Sequence, residues 1–147
     1  MIAITFAIIV VIVLLGILVL ALVKKNPSVK KYGPAVTLDK NFIQNKWQEI
    51  EQTFALGGPS HFKTSIMEAD KLIDYALKAK GVKGKTFGER LKNSNKKFTN
   101  YSDYNNLWFA HKVRNNIVHE TNHDLNSTEA KRALEYFKKA LQALGAL

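Results

Sequence analysis

The chain contains no cysteine. That absence excludes a disulfide framework, zinc fingers, iron–sulfur ligation and thiol chemistry. Charge is missing from residues 1–23, of which 21 are apolar. Sustained polar–apolar alternation between turn dipeptides is also missing, so no sheet is expected. Internal repeats and low-complexity tracts are absent. What remains is a chain of 147 residues with 22 Lys and Arg against 12 Asp and Glu, a net charge of +10. All of that charge lies beyond residue 23. The segment carrying it is long enough for one modest helical core and too short for two domains.

The uncharged stretch Ile2 to Val23 is interrupted only by Thr5 and Gly16. As a helix it spans about 33 Å at about 1.5 Å per residue, enough for a hydrocarbon core of about 30 Å. A cleaved signal peptide needs a basic leader and small residues before the cut. Here only Met1 precedes the run, and Leu20-Ala21-Leu22-Val23 is a poor cleavage site. Residues 1–23 are therefore expected to be an uncleaved single-pass anchor, meeting the membrane through residues 2–23. Lys24, Lys25, Lys30 and Lys31 follow it and no Lys or Arg precedes it. The positive-inside rule then puts the N-terminus outside and the C-terminal domain in the cytoplasm. Pro27, Gly33 and Pro34 make residues 24–36 a short basic tether, which keeps a domain of residues 37–147 close to the bilayer. The span has no GxxxG, so nothing in it argues for dimerisation.

Beyond residue 37 the apolar period is helical. Ile43, Trp47, Ile50 and Phe54 form a stripe that Gly57-Gly58-Pro59 terminates, with Ser60 expected to cap the next helix. Ile66, Ala69, Ile73, Ala76 and Leu77 form the second buried face, stopped near Gly81. Thr86-Phe87-Gly88-Glu89 reads as a capping box opening a short third helix with Leu91 inward. A fourth helix starts at Ser102 or Asp103 and carries Leu107, Trp108, Ala110, Val113, Ile117 and Val118. Asn126, with Glu129 three residues on, caps a fifth whose stripe is Ala130, Leu134, Phe137, Leu141 and Leu144. The expectation is all-α: an up-and-down bundle of four to five helices after one transmembrane helix.

Two features that invite a nucleotide or phosphate reading are weak. Gly84-Lys85-Thr86 ends like a phosphate-binding P-loop, but Ala79 stands where the first glycine belongs and a helix precedes it instead of a strand. Between residues 78 and 97 eight cations stand against Glu89 alone. Of these, Lys83, Lys85, Arg90, Lys92, Lys96 and Lys97 are candidate contacts to RNA phosphates or to anionic lipid. A merely solvated face accounts for the run equally well.

The sharpest constellation is Arg114-Asn115-Asn116-Ile117-Val118-His119-Glu120. Metal-free RNA cleavage needs a group that takes the 2′-OH proton and a cation that neutralises charge on the phosphorus transition state. A histidine suits the first role and a guanidinium the second. Along a continuous helix five residues turn the two side chains about 140° apart. They converge only if the helix breaks before His119 or if a second protomer completes the site. Asn115 and Asn116 offer hydrogen bonds to phosphate or to the imidazole. His111, one turn before Arg114, is placed to line the same cleft.

This arrangement resembles the HEPN superfamily of small helical bundles, whose signature is Arg, four to six residues, then His, often with a polar residue straight after the Arg. The upstream helix Ser65 to Leu77, a glycine-bearing turn and Thr86-Phe87-Gly88-Glu89-Arg90-Leu91 are similar too, so the likeness covers roughly residues 42–144. It implies a homodimer through the helical domain, with Arg and His of both protomers facing a shared cleft. It also implies either metal-independent ribonuclease activity or a non-catalytic RNA-, nucleotide- or protein-binding module. On that resemblance Arg114 and His119 are the catalytic pair, with Asn115 and His111 in support. The membrane anchor is not part of the shared domain.

Other chemistry finds little footing. No GxSxG is present. His119 with His123 forms only a two-ligand pair that needs Glu120 or Asp124 to hold a metal. No metal and no cofactor is expected. Two functions are carried forward: a membrane-anchored cytoplasmic domain that binds and cleaves RNA, and a tethered interaction module whose Arg114 and His119 are structural.

Overall fold

The computed structural model describes residues 37–119 and 125–147. The anchor and tether expected at residues 1–36 lie outside the described residues. Among the described residues no helix is long and apolar enough to cross a membrane. These residues form five α-helices and no strand: α1 Lys40–Ala55, α2 Gly58–Ala79, α3 Phe87–Asn93, α4 Tyr101–His119 and α5 Ser127–Ala143. A short 3-10 turn, Asn95–Lys97, separates α3 from α4.

The helix boundaries follow from local hydrogen bonding. Asp39, Thr86 and Asn126 each cap a helix by accepting a backbone N–H three residues on. At α3 the capping box is displaced: Glu89 reaches the backbone N–H of Lys85 at 2.7 Å, one residue before the cap. α2 begins at Gly58, two residues before the expected Ser60 cap, because Pro59 lacks an N–H and fits a first turn. α4 begins at Tyr101, where Asn100 Oδ1 accepts the Ser102 N–H at 2.8 Å. The second helix ends as the sequence indicates. Gly81 takes a positive φ of 73°, and the N–H groups of Gly81 and Val82 turn back to Lys78 and Leu77.

The amphipathic stripes assemble around α2, which packs against each of the other four helices. Ile66, Ala69, Ile73 and Leu77 of α2 are fully enclosed, as are Leu91, Leu107 and Phe137 of its neighbours. Three expectations about α4 need correction. Val118 is 47% exposed, while Trp108 and Ile117 are half-buried at the edge of the core. The buried arc of α4 is instead Tyr104, Leu107, Ala110, His111 and Val113.

Gly84 explains why the α2–α3 turn holds its shape. A Cβ there would stand 2.5 Å from the Arg90 backbone nitrogen, whereas one on Gly88 would meet nothing closer than 3.9 Å. Gly84→Ala is therefore expected to cost about 1–3 kcal/mol by forcing the turn apart. Gly88→Ala, inside a helix with room for the methyl, is expected to be neutral or to gain up to about 1 kcal/mol. Urea unfolding of the two variants checks this, and equal effects would contradict it.

Candidate functional site

The arginine of the motif sits on α4 and its counter-charge on α2. Asp70 lies on the apolar face of α2, between Ala69 and Ile73, and is 3% exposed. A carboxylate in that position must find donors or lose its charge. α4 supplies them. His111 Nδ1–H donates to Asp70 Oδ1 at 2.8 Å, and Arg114 Nε lies 3.3 Å from Asp70 Oδ2. The Nε has no aligned acceptor, so the Arg114–Asp70 contact is an ion pair without a hydrogen bond.

Asn115 closes the circuit. Its Nδ2–H donates to His111 Nε2 at 3.2 Å, and its Oδ1 accepts from Arg114 Nη1 at 3.1 Å. Four side chains thus form a ring that runs from Asp70 through His111, Asn115 and Arg114 back to Asp70. The hydrogen-bond directions agree only when His111 carries its proton on Nδ1 and leaves Nε2 as an acceptor. Phe87 packs edge-on to His111 at a centroid distance of 4.5 Å, and Trp108 flanks it at 6.1 Å. His111 is therefore buried behind Asn115, and it orients that amide where the sequence placed it lining an open cleft.

A second ion pair, part-buried, stands one turn along α2. Asp74 receives Arg90 Nε at 2.5 Å, Arg90 Nη2 at 3.0 Å and Lys78 Nζ at 2.6 Å. The Arg90 Nη1 also donates to the Gly84 carbonyl. Arg90 is 7% exposed. This corrects its assignment as a phosphate or lipid contact: its fork is spent on Asp74 and the Gly84 turn. The lysines of the same run, Lys83, Lys85, Lys92, Lys96 and Lys97, all remain exposed.

Of the catalytic candidates, Arg114 has a side chain 28% exposed and His119, the last residue of α4, is exposed. α4 stays helical through His119. The two side chains therefore leave the axis about 140° apart, and a helix break does not bring them together. His123, Glu120 and Asp124, the alternative metal set, lie outside the described residues. Among the described residues no group of three potential ligands is poised for a metal. A shallow pocket of about 80 Å³ between α1 and α2 includes Glu49 and Glu68, and shares no residue with the Arg114 ring. Its two carboxylates are already engaged by Lys46 and Lys71.

Sequence reasoning missed Asp70. The available signal was an acid at a core register, four residues after Ile66 and three before Ile73, on a face otherwise apolar. No known family model, curated protein or solved structure matches the chain.

The two aspartates respond to pH in opposite senses. Burial pushes the Asp70 carboxyl above its ordinary value, against the pull of His111 and Arg114. Burial acts on Asp74 as well, but Arg90 and Lys78 outweigh it and hold that carboxyl below its ordinary value. Folded Asp70 keeps its proton better than the unfolded chain does, so its contribution to stability falls as pH rises from the ordinary aspartate value through the raised one. The Asp74 contribution is present above the ordinary value and is lost as pH falls through the lowered one. Urea unfolding between about pH 3 and pH 7 tests this against Asp70→Asn and Asp74→Asn. With rising pH, the stability of the unaltered chain relative to Asp70→Asn is expected to shrink and that relative to Asp74→Asn to grow. Parallel trends would rule out this account.

Proposed function

We propose that the chain is a membrane-anchored, cytoplasm-facing HEPN-like domain that binds RNA as a homodimer and cleaves it without metal. His119 accepts the proton of a ribose 2′-OH. The oxygen attacks the adjacent phosphorus, the bond to the 5′-oxygen breaks, and a cyclic phosphate and a 5′-hydroxyl result. The leaving oxygen takes its proton from an imidazolium. Arg114 neutralises the charge that grows on the phosphoryl oxygens.

One observation carries this reading. Arg114 is anchored along one edge by Asp70 and Asn115 yet keeps part of its side chain in solvent, on the helix that ends in an exposed His119. A purely structural pair buries both groups against partners. The 140° divergence on a continuous helix favours a site shared between two copies, each supplying what the other lacks.

The engagement of Arg114 within its own protomer favours a second reading, a non-catalytic tethered module that binds a protein or nucleotide. The two separate cleanly. Incubated with RNA and EDTA at pH 6–8, the full-length chain in detergent is expected to cleave. Cleavage should fall by about 100-fold or more in His119→Ala, the scale of a lost general base, and likewise in Arg114→Ala. RNA left intact by the unaltered chain would sink the ribonuclease.

The composite site makes its own demand. Multi-angle light scattering of the same preparation, corrected for detergent, is expected to give the mass of two chains. A monomer that still cleaves RNA would remove the shared site.

A further inference from the structure

The outer edge of α4 carries residues that the Arg114 ring does not use. At about 100° per residue, Tyr101, Trp108, Lys112 and His119 fall within about 40° of one another around the helix, with Asn115 bordering them. Tyr101 is 68% exposed although aromatic, Trp108 is half-buried and Lys112 is exposed. Each outward ring is backed by another. Tyr104 lies 5.7 Å from Tyr101 and stands perpendicular to Trp108 at 6.4 Å, and His111 flanks Trp108 from the far side. Tyr104 itself is buried against Phe98. The exposed rings are thus held by packing at a low cost in conformational entropy.

The chemistry of this edge selects among occupants. A helix docking here would want aliphatic knobs, and between Tyr101 and Asn116 the exposed edge offers rings, amides and a lysine. The acid of this helix, Asp103, lies about 160° around the axis from Tyr101, and the exposed Lys96 and Lys97 stand in the turn just before the edge. Stacking rings spaced along a cationic track are what unpaired bases and their phosphates require. A duplex, with its bases already stacked, has no use for the rings.

We infer that the Tyr101–Trp108–Lys112 edge of α4 is a binding track for single-stranded RNA, with bases stacked on Tyr101 and Trp108, a phosphate at Lys112 and the strand directed toward His119. The inference rests on RNA being the ligand of this domain and names the part of it that is held. From Tyr101 to His119 the track is about 27 Å long, so it contacts several nucleotides on one side of the cleaved bond.

The test uses the full-length chain in detergent carrying His119→Ala, so that RNA stays whole. Fluorescence anisotropy is read with a labelled single-stranded RNA, its duplex and single-stranded DNA of the same sequence. The single strand is expected to bind more tightly than the duplex. Tyr101→Ala should weaken it about tenfold, Tyr101→Phe should restore it, and Lys112→Ala should flatten the salt dependence by about one phosphate contact. Trp108→Phe should lose less than Tyr101→Ala while keeping the fold. Undiminished binding by Tyr101→Ala, a preference for duplex, or binding of DNA but not RNA would each overturn the track. Cleavage on the His119 background, measured in parallel, keeps the two ideas apart. An active enzyme indifferent to Tyr101 loses the track alone, and a Tyr101-dependent binder that never cleaves loses the ribonuclease alone.

Discussion

The Asp70 carboxylate sits among aliphatic side chains at the centre of the bundle, and much of the surrounding polar architecture answers to it. A charge so placed is tolerable only when donors reach it from a neighbouring helix, and α4 brings His111 and Arg114 to the two oxygens. That requirement sets the rotation of α4 about its own axis. With His111 and Arg114 turned toward α2, Leu107 and Ala110 fall into the core and Tyr101, Lys112 and His119 fall outside it. A buried ionic group of this kind contributes register more than stability. A slip of one residue along α4 would leave Asp70 facing Ala110 or Lys112.

Asn115 extends that control to the arginine. An amide bonded on one side to an acceptor nitrogen and on the other to a guanidinium has one workable orientation, so the tautomer of His111 determines which atom faces Arg114. The guanidinium is restrained without being consumed. Pre-organised charge of this sort acts on a transition state without the reorganisation that a free surface arginine requires. The continuity of α4 then keeps His119 away from Arg114 within one chain, because its last turn carries His119 around to the other side.

Much of the bundle was legible in the chain. Ile43, Trp47 and Ile50, the α2 stripe and the α5 stripe from Ala130 to Leu144 are all buried, and the Thr86 and Asn126 caps form as their spacing requires. Periodicity reads such positions because burial follows from side-chain type. It failed where a polar residue took a core register, as at Asp70, and where an apolar residue was left outside, as at Val118. It failed again at Arg90, which belongs by sequence to a run of cations and by structure to Asp74, sixteen residues upstream. Pairing across helices depends on their relative rotation, and no local pattern encodes that. The motif residues themselves were legible as a constellation, whereas the ring that holds Arg114 was not.

The three arginines of the chain show what distinguishes the candidate site. Arg90 gives its fork to Asp74 and to the Gly84 carbonyl, which locks the α2–α3 turn and leaves no donor edge for a ligand. Arg132, exposed on the outside of the bundle, lies over the Phe109 ring at 4.2 Å, a cation–π contact. Neither state suits transition-state stabilisation: the first is fully satisfied, and the second is held by a ring face that leaves its fork unaligned. Arg114 lies between the two, fixed on one edge by a buried carboxylate and an oriented amide and open on another. An exposed anionic oxygen arriving at that open edge would meet a cation already aimed and already desolvated on its inner side, which is the condition under which a guanidinium contributes most.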